Sequence, residues 1–129
     1  MPKNPAPVEV LCPCCQATLR VDPATGAYQV HAMGLREPNG IGLGPEGEIF
    51  VPDVQGNWLP SNKLIHVKKG RFYGFKHEPP ETWDNMQASP PAVYLPQGEV
   101  ARAPGNPLHV PTGRYAGQLL YGDAVNGGI

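Results

Sequence analysis

The sequence predicts an all-β chain of short antiparallel strands with little or no helix. Three observations predict it. Glycine (16) and proline (17) make up about a quarter of the 129 residues. Both oppose helices, proline by removing a backbone donor and fixing φ, glycine by its conformational entropy. Apolar and polar residues alternate over short runs, the period of a half-buried strand. Each run is bounded by clusters of glycine, proline, asparagine or aspartate, which are turn signals. Hydrophobic residues are 40% of the chain, so the core is modest.

Taken in order, residues 1–8 carry three prolines and read as a disordered arm. Residues 9–31 read as a small β-hairpin unit. Val8-Glu9-Val10-Leu11 is its first strand, Ala17 to Asp22 alternates apolar with polar, and Ala27-Tyr28-Gln29-Val30 returns after the turn Asp22-Pro23-Ala24-Thr25-Gly26. Residues 32–129 form the second unit. Gly40 to Leu43 is a strand, Gly44-Pro45-Glu46-Gly47 a turn, and Glu48 to Asp53 the returning partner. Lys63 to Lys68 alternates again and stops at Gly70. Three such strands with glycine turns make most of one β-propeller blade, so a partial propeller of one to two blades is expected. Residues 76–90 read as an irregular loop, Ala92 to Leu95 as a strand, Pro104 to Pro111 as turns, and Gln118 to Asp123 as the last strand.

The three cysteines, Cys12, Cys14 and Cys15, all lie in the turn CPCC. An odd, clustered set cannot staple distant segments as disulfides do. Cys12 and Cys15 have the C-x-x-C spacing with which two thiolates grip one tetrahedral metal, usually zinc. Four ligands close such a site. Cys14 and His31 are the candidates within the chain, and a second chain donating its own pair is the other route. Free thiols on a degenerate turn are the plain alternative. Covalent haem needs C-x-x-C-H, and Gln16 stands where histidine would be. The segment around CPCC, with its later Leu, Val-Asp and Thr-Gly, resembles a zinc-ribbon-like start found in some bacterial proteins.

Residues 35–77 carry Arg36, Pro38 and Gly40, then Gly47 and Ile49, then Gln55-Gly56, and finally Gly70 with Tyr73-Gly74. This collinear set resembles one blade of the six-bladed glucose/sorbosone dehydrogenase propellers. The tail from Pro91 resembles a bacterial branch of that family, of membrane-bound dehydrogenases or proteins linked to haem domains. The resemblance implies a propeller that binds pyrroloquinoline quinone (PQQ) beside calcium and oxidises sugars by hydride transfer. It implies Arg36, Asn39, Gln55, Gly56 and Tyr73 as cofactor-binding positions. This sequence departs from the family at Glu37, which would repel a carboxylate, and at Lys63, which puts a cation where calcium's acidic ligands belong. The family's catalytic histidine lies on an earlier blade, and neither His66 nor His77 occupies its position. One blade cannot bury its hydrophobic face alone. The chain is therefore expected to be a fragment or module that self-associates or needs other propeller chains, and is not catalytic alone.

The net charge of −1 argues against a nucleic-acid partner. Lys63, Lys68, Lys69, Arg71 and Lys76 form a local basic run with Phe72, Tyr73 and Phe75 interleaved. It reads as an exposed strand edge kept soluble by lysine, ahead of a stacking surface for single strands. Trp58 and Trp83 are loop residues whose rings could floor a pocket or simply pack. No apolar run approaches the roughly 18 residues of a membrane span. The first residues lack the apolar stretch of a signal peptide. That reads as cytoplasmic, whereas the resembled family works outside the cytoplasm. No Ser-His-Asp set, P-loop or H-E-x-x-H motif is present.

Overall fold

The computed structural model describes residues 6–12, 15–54, 59–77 and 79–128. It is all-β, with one short 3-10 turn at Pro80–Trp83 as its helical element among the described residues. None of its helices is long and apolar enough to cross a membrane.

The first sheet holds β1 (Val8–Leu11), β2 (Thr18–Val21) and β3 (Tyr28–Ala32), antiparallel in that order. The segment expected as a hairpin is thus a three-stranded meander. Register sorts its faces. Val8, Val21 and Tyr28 are cross-strand partners, as are Val10, Leu19 and Val30, so one face is apolar. Glu9, Arg20 and Gln29 share the other, where Arg20 Nε pairs with Glu9 at 3.4 Å.

The second sheet is the blade: β4 (Gly42–Leu43), β5 (Ile49–Asp53), β6 (Ser61–Val67) and β7 (Val93–Pro96), in sequence order. Alternation along β5 and β6 gives it two apolar faces. Ile49, Val51, Ile65 and Val67 pack with Ala32, Leu35 and Tyr73, with Leu11 of β1 and Ile41 at the margin. Leu64 on the opposite face packs with Leu95 and Ala101, flanked by Phe50, Leu119 and Tyr121. The blade is therefore buried on both sides, as stacked propeller blades are. Of the basic run, Lys63 lies where β6 is paired on both sides, with β5 and β7, while Lys68, Lys69, Arg71 and Lys76 follow the strand.

The third sheet is a short hairpin, β8 (Leu108–His109) with β9 (Leu119–Leu120). It repeats the start of the blade. Asp53 accepts the backbone N–H groups of Arg36 and Glu37, and Asp123 accepts those of Arg102 and Ala103. Asn39 N–H donates to Pro52 O at 3.0 Å, and Gly105 N–H to Gly122 O at 2.7 Å. Val54 N–H donates to Glu37 O, and Ala124 N–H to Ala103 O. Pro38 bridges Asp53, and Pro104 bridges Asp123. These matching bonds mark two successive blade starts, and their inner strands β4 and β8 lie in contact. The described residues thus hold one blade and the first hairpin of a second.

Candidate functional site

The long segment after β6 builds the site. It runs back along the strand that leads into the blade. Met33 N–H donates to Arg71 O, Tyr73 N–H to Met33 O, and Phe75 N–H to Gly34 O. His77 Nε2 donates to Leu35 O at 2.8 Å, and Trp83 Nε1 donates to His77 O at 2.8 Å. The Trp83 ring stacks on Phe72 at 5.5 Å. Trp83 is therefore a packing residue, and Trp58 lies outside the described residues.

Tyr73 is the centre of this segment. Its ring is buried against the blade, and its hydroxyl donates to His66 O and accepts the Lys68 N–H, both at 2.8 Å. Burial pushes its phenol above the ordinary value, so it stays a neutral donor. On one side of Tyr73 a cleft of about 130 Å³ is lined by Arg36, Lys63, Phe75, Ser89 and Tyr94 among others. Lys63 Nζ reaches Tyr73 O at 3.4 Å. Arg36 gives one N–H to Glu37 at 3.2 Å across an exposed pair. Two cations and three rings in one cleft can hold a planar anion, by charge-assisted hydrogen bonds at its edge and stacking on its face.

Asp53 sets the cleft's floor without entering it. It is 1% exposed. Its oxygens accept Arg36 N–H at 3.1 Å and Glu37 N–H at 2.8 Å, which fixes the turn that presents Arg36. Burial raises its pKa more than these N–H groups and the nearby Lys63 and Arg36 lower it.

The expected cofactor positions thus separate. Arg36 and Tyr73 come together in the cleft. Asn39 does not. Its side-chain amide donates to Pro104 O at 3.2 Å, tying the first blade start to the second. Gln55 and Gly56 lie outside the described residues, as does Cys14. Lys63 entered the sequence reading as a strand residue, part of the basic run and a misfit in a calcium loop, and it lines the cleft. Ser89 and Tyr94 were not singled out at all, because neither belongs to a motif. Asn62 is fully buried and donates to Gln97 Oε1 at 2.8 Å and Ala101 O at 2.9 Å, a structural task.

At the other end, Cys12 follows β1 and Cys15 precedes β2. Cys12 N–H donates to Ala17 O at 2.8 Å, and Gln16 N–H donates to Cys12 O at 2.9 Å. Gln16 has φ 54, the one non-glycine residue with positive φ among those described. Such backbone strain persists only where surroundings hold it. Cys15 is exposed. His31 sits among Arg20, Glu9 and Lys69, and burial with the two cations lowers its pKa. No group of three or more His, Cys, Asp or Glu side chains gathers at metal-ligating range among the described residues.

No protein-family model matches the sequence, and no curated protein matches it. A structural likeness exists to the PQQ-bound form of aldose sugar dehydrogenase from Streptomyces coelicolor, with a TM-score of 0.58 over 83% of this chain at 17% identity. This chain spans 31% of that structure's length. The likeness shows the fold: a distantly related part of a β-propeller.

Proposed function

We propose that the chain is a module of a quinoprotein-like sugar dehydrogenase propeller, contributing part of a cofactor wall and not catalytic by itself. The cleft beside Tyr73 carries this reading. Arg36 and Lys63 stand there with Tyr73, Phe75 and Tyr94, and no carboxylate lines it. PQQ is a planar tricarboxylate, and cations beside rings suit that chemistry. The cleft is smaller than the roughly 300–1,000 Å³ of sites that enclose a ligand. It therefore takes one edge of the cofactor, with other blades supplying the remainder. Bound in a complete propeller, such a quinone would supply the hydride-accepting chemistry. This chain's residues hold and orient the anionic edge.

Calcium does not fit the same residues. Lys63 is an ammonium, and the Asp53 carboxylate is already taken by backbone N–H donors. A hard cation needs several free oxygen ligands.

Titrating PQQ into the protein while following Tyr and Trp fluorescence tests the reading. Saturable quenching is expected, without dye reduction on adding glucose. Arg36→Ala and Lys63→Ala are each expected to weaken binding about ten-fold, the scale of one charge-assisted hydrogen bond. Absence of saturation, or binding indifferent to both substitutions, overturns it.

A second reading rests on the loop between β1 and β2. Backbone bonds tie Cys12 to Gln16 and Ala17, and the C-x-x-C spacing of Cys12 and Cys15 suits two thiolates on one zinc. His31 keeps other company, so the remaining pair of ligands would come from a second copy. About half a zinc per chain and a dimeric mass, reduced to a monomer by chelation, are the expected results of elemental analysis with light scattering. A metal-free monomer purified in the presence of zinc is incompatible with this reading.

A further inference from the structure

Tyr73 has a second side. There the wall turns into a separate cleft of about 320 Å³, lined by His66, Lys68, Arg71, Ser89, Pro90 and Pro91 with Tyr73 and Ala92. Three of these residues carry or can carry positive charge, and none carries a carboxylate. We propose that this cleft binds a phosphate monoester with a compact apolar body.

The backbone that carries its cations is held in place by the fold. Lys68 N–H donates to the Tyr73 hydroxyl. Arg71 N–H donates to Lys68 O, and Arg71 O accepts Met33 N–H, so the turn 68–71 is fixed at both ends. The His66 ring stacks on Phe50 at 4.9 Å. A fixed backbone sets where the exposed Lys68 and Arg71 side chains start from, so less of the chain has to be ordered on binding. The two charges are also unspent. The ion pairs among the described residues engage Arg20, Arg36 and Lys76, not Lys68 or Arg71. Glu48 is the acid that acts electrostatically on His66, and its carboxylate already accepts the Glu46 N–H at 2.8 Å.

The ligand's chemistry follows from the lining. A phosphate monoester carries nearly two negative charges at neutral pH and three strong acceptor oxygens. A guanidinium, an ammonium, an imidazole and the Ser89 hydroxyl can serve those oxygens together. A monocarboxylate would leave part of the positive charge uncompensated. Pro90, Pro91 and Ala92 form a stiff apolar flank on which the ester's body lies. Ser89 N–H is bonded to Phe72 O at 2.7 Å, which anchors this flank to the Tyr73 segment.

Calorimetric titration of the whole chain with phenyl phosphate and with benzoate is the test. Phenyl phosphate is expected to bind saturably, and at least about ten-fold more tightly than benzoate, since a second charge-assisted contact is worth that factor. Lys68→Ala and Arg71→Ala should each weaken it about ten-fold. Lys69→Ala removes the same charge beside the cleft rather than in it, and should change affinity by less than about two-fold, as for an exposed charge in salt. The proposal is overturned by an absence of saturable binding, by equal affinity for benzoate, or by a Lys69→Ala loss as large as the other two. Amide chemical-shift changes at Lys68, Arg71 and Ser89 distinguish a lost site from a misfolded variant.

Discussion

Asp53→Ala is expected to remove about 2–4 kcal/mol of folding stability, because it leaves two part-buried backbone donors without their acceptor. Total stability of a small domain is only about 5–15 kcal/mol, so the variant should be largely unfolded under mild denaturant. Asp53 is 1% exposed and bonds Arg36 N–H and Glu37 N–H. The matching residue of the second blade start, Asp123, serves as the comparison. It is half-buried and bonds Arg102, Ala103, Val125 and Asn126 N–H groups. Its alanine variant exposes those donors to solvent and should cost far less.

The two aspartates also differ in sign with pH. Backbone donors, led by Arg102 N–H, lower the pKa of Asp123 to about 2. Its contribution is complete above the ordinary value of 3.8 and is lost as pH falls toward about 2. Burial raises the pKa of Asp53 above 3.8. Through the window above 3.8 the folded chain holds the Asp53 proton more tightly than the unfolded chain does. That term therefore weakens stability as pH rises and levels off beyond the folded value. Urea midpoints measured from pH 2 to 7 should show Asp123→Ala with a flatter acid loss than the parent. An equal midpoint for Asp53→Ala and Asp123→Ala at pH 7 would contradict the assignment of Asp53 as the buried clamp.

How far these features were legible depends on what carries them. The strands were legible because half-buried strands write a two-residue alternation into side-chain polarity. β6 begins at Ser61 rather than Lys63, since the buried Asn62 reads as a loop residue until its hydrogen bonds are seen. β8 lies inside a stretch of turn residues and is two residues long, too short to show a period. The repeated blade start was invisible for a different reason. Its bonds run from backbone N–H and C=O groups, so Leu35-Arg36-Glu37-Pro38 and Ala101-Arg102-Ala103-Pro104 need share little beyond an arginine, a proline and a distant aspartate. Resemblance to a family blade singled out Arg36 and Tyr73, which the fold brings into one cleft. Lys63 read as a cation out of place in a calcium loop, and its ammonium reaches the Tyr73 carbonyl. Ser89 and Tyr94 join the cleft only because the irregular segment folds back over the blade.

Gly42→Val is expected to detach the second hairpin from the first blade while leaving that blade intact. A Cβ at Gly42 would stand 2.1 Å from Pro107 O and 2.8 Å from Pro107 Cγ. The nearest atom is backbone, so no side chain can swing aside. Overpacking of this kind typically costs about 1–3 kcal/mol, and here it falls on one seam. Across that seam β4 meets β8, and Asn39 holds Pro104 O. Gly105→Ala is the control, since its Cβ would lie 3.5 Å from Gly122 O, an ordinary contact. Hydrogen exchange should show lost protection at Gly105, Val110 and Gln118, whose amides close the second start, with β5 and β6 amides still protected. That pattern makes the two blade starts separate cooperative units. The cleft between Arg36, Lys63 and Tyr73 draws its whole lining from residues 36–94. PQQ binding should therefore survive in Gly42→Val. Loss of β5 and β6 protection along with the hairpin would instead make the seam part of the first blade's own stability, and the cleft would fail with it.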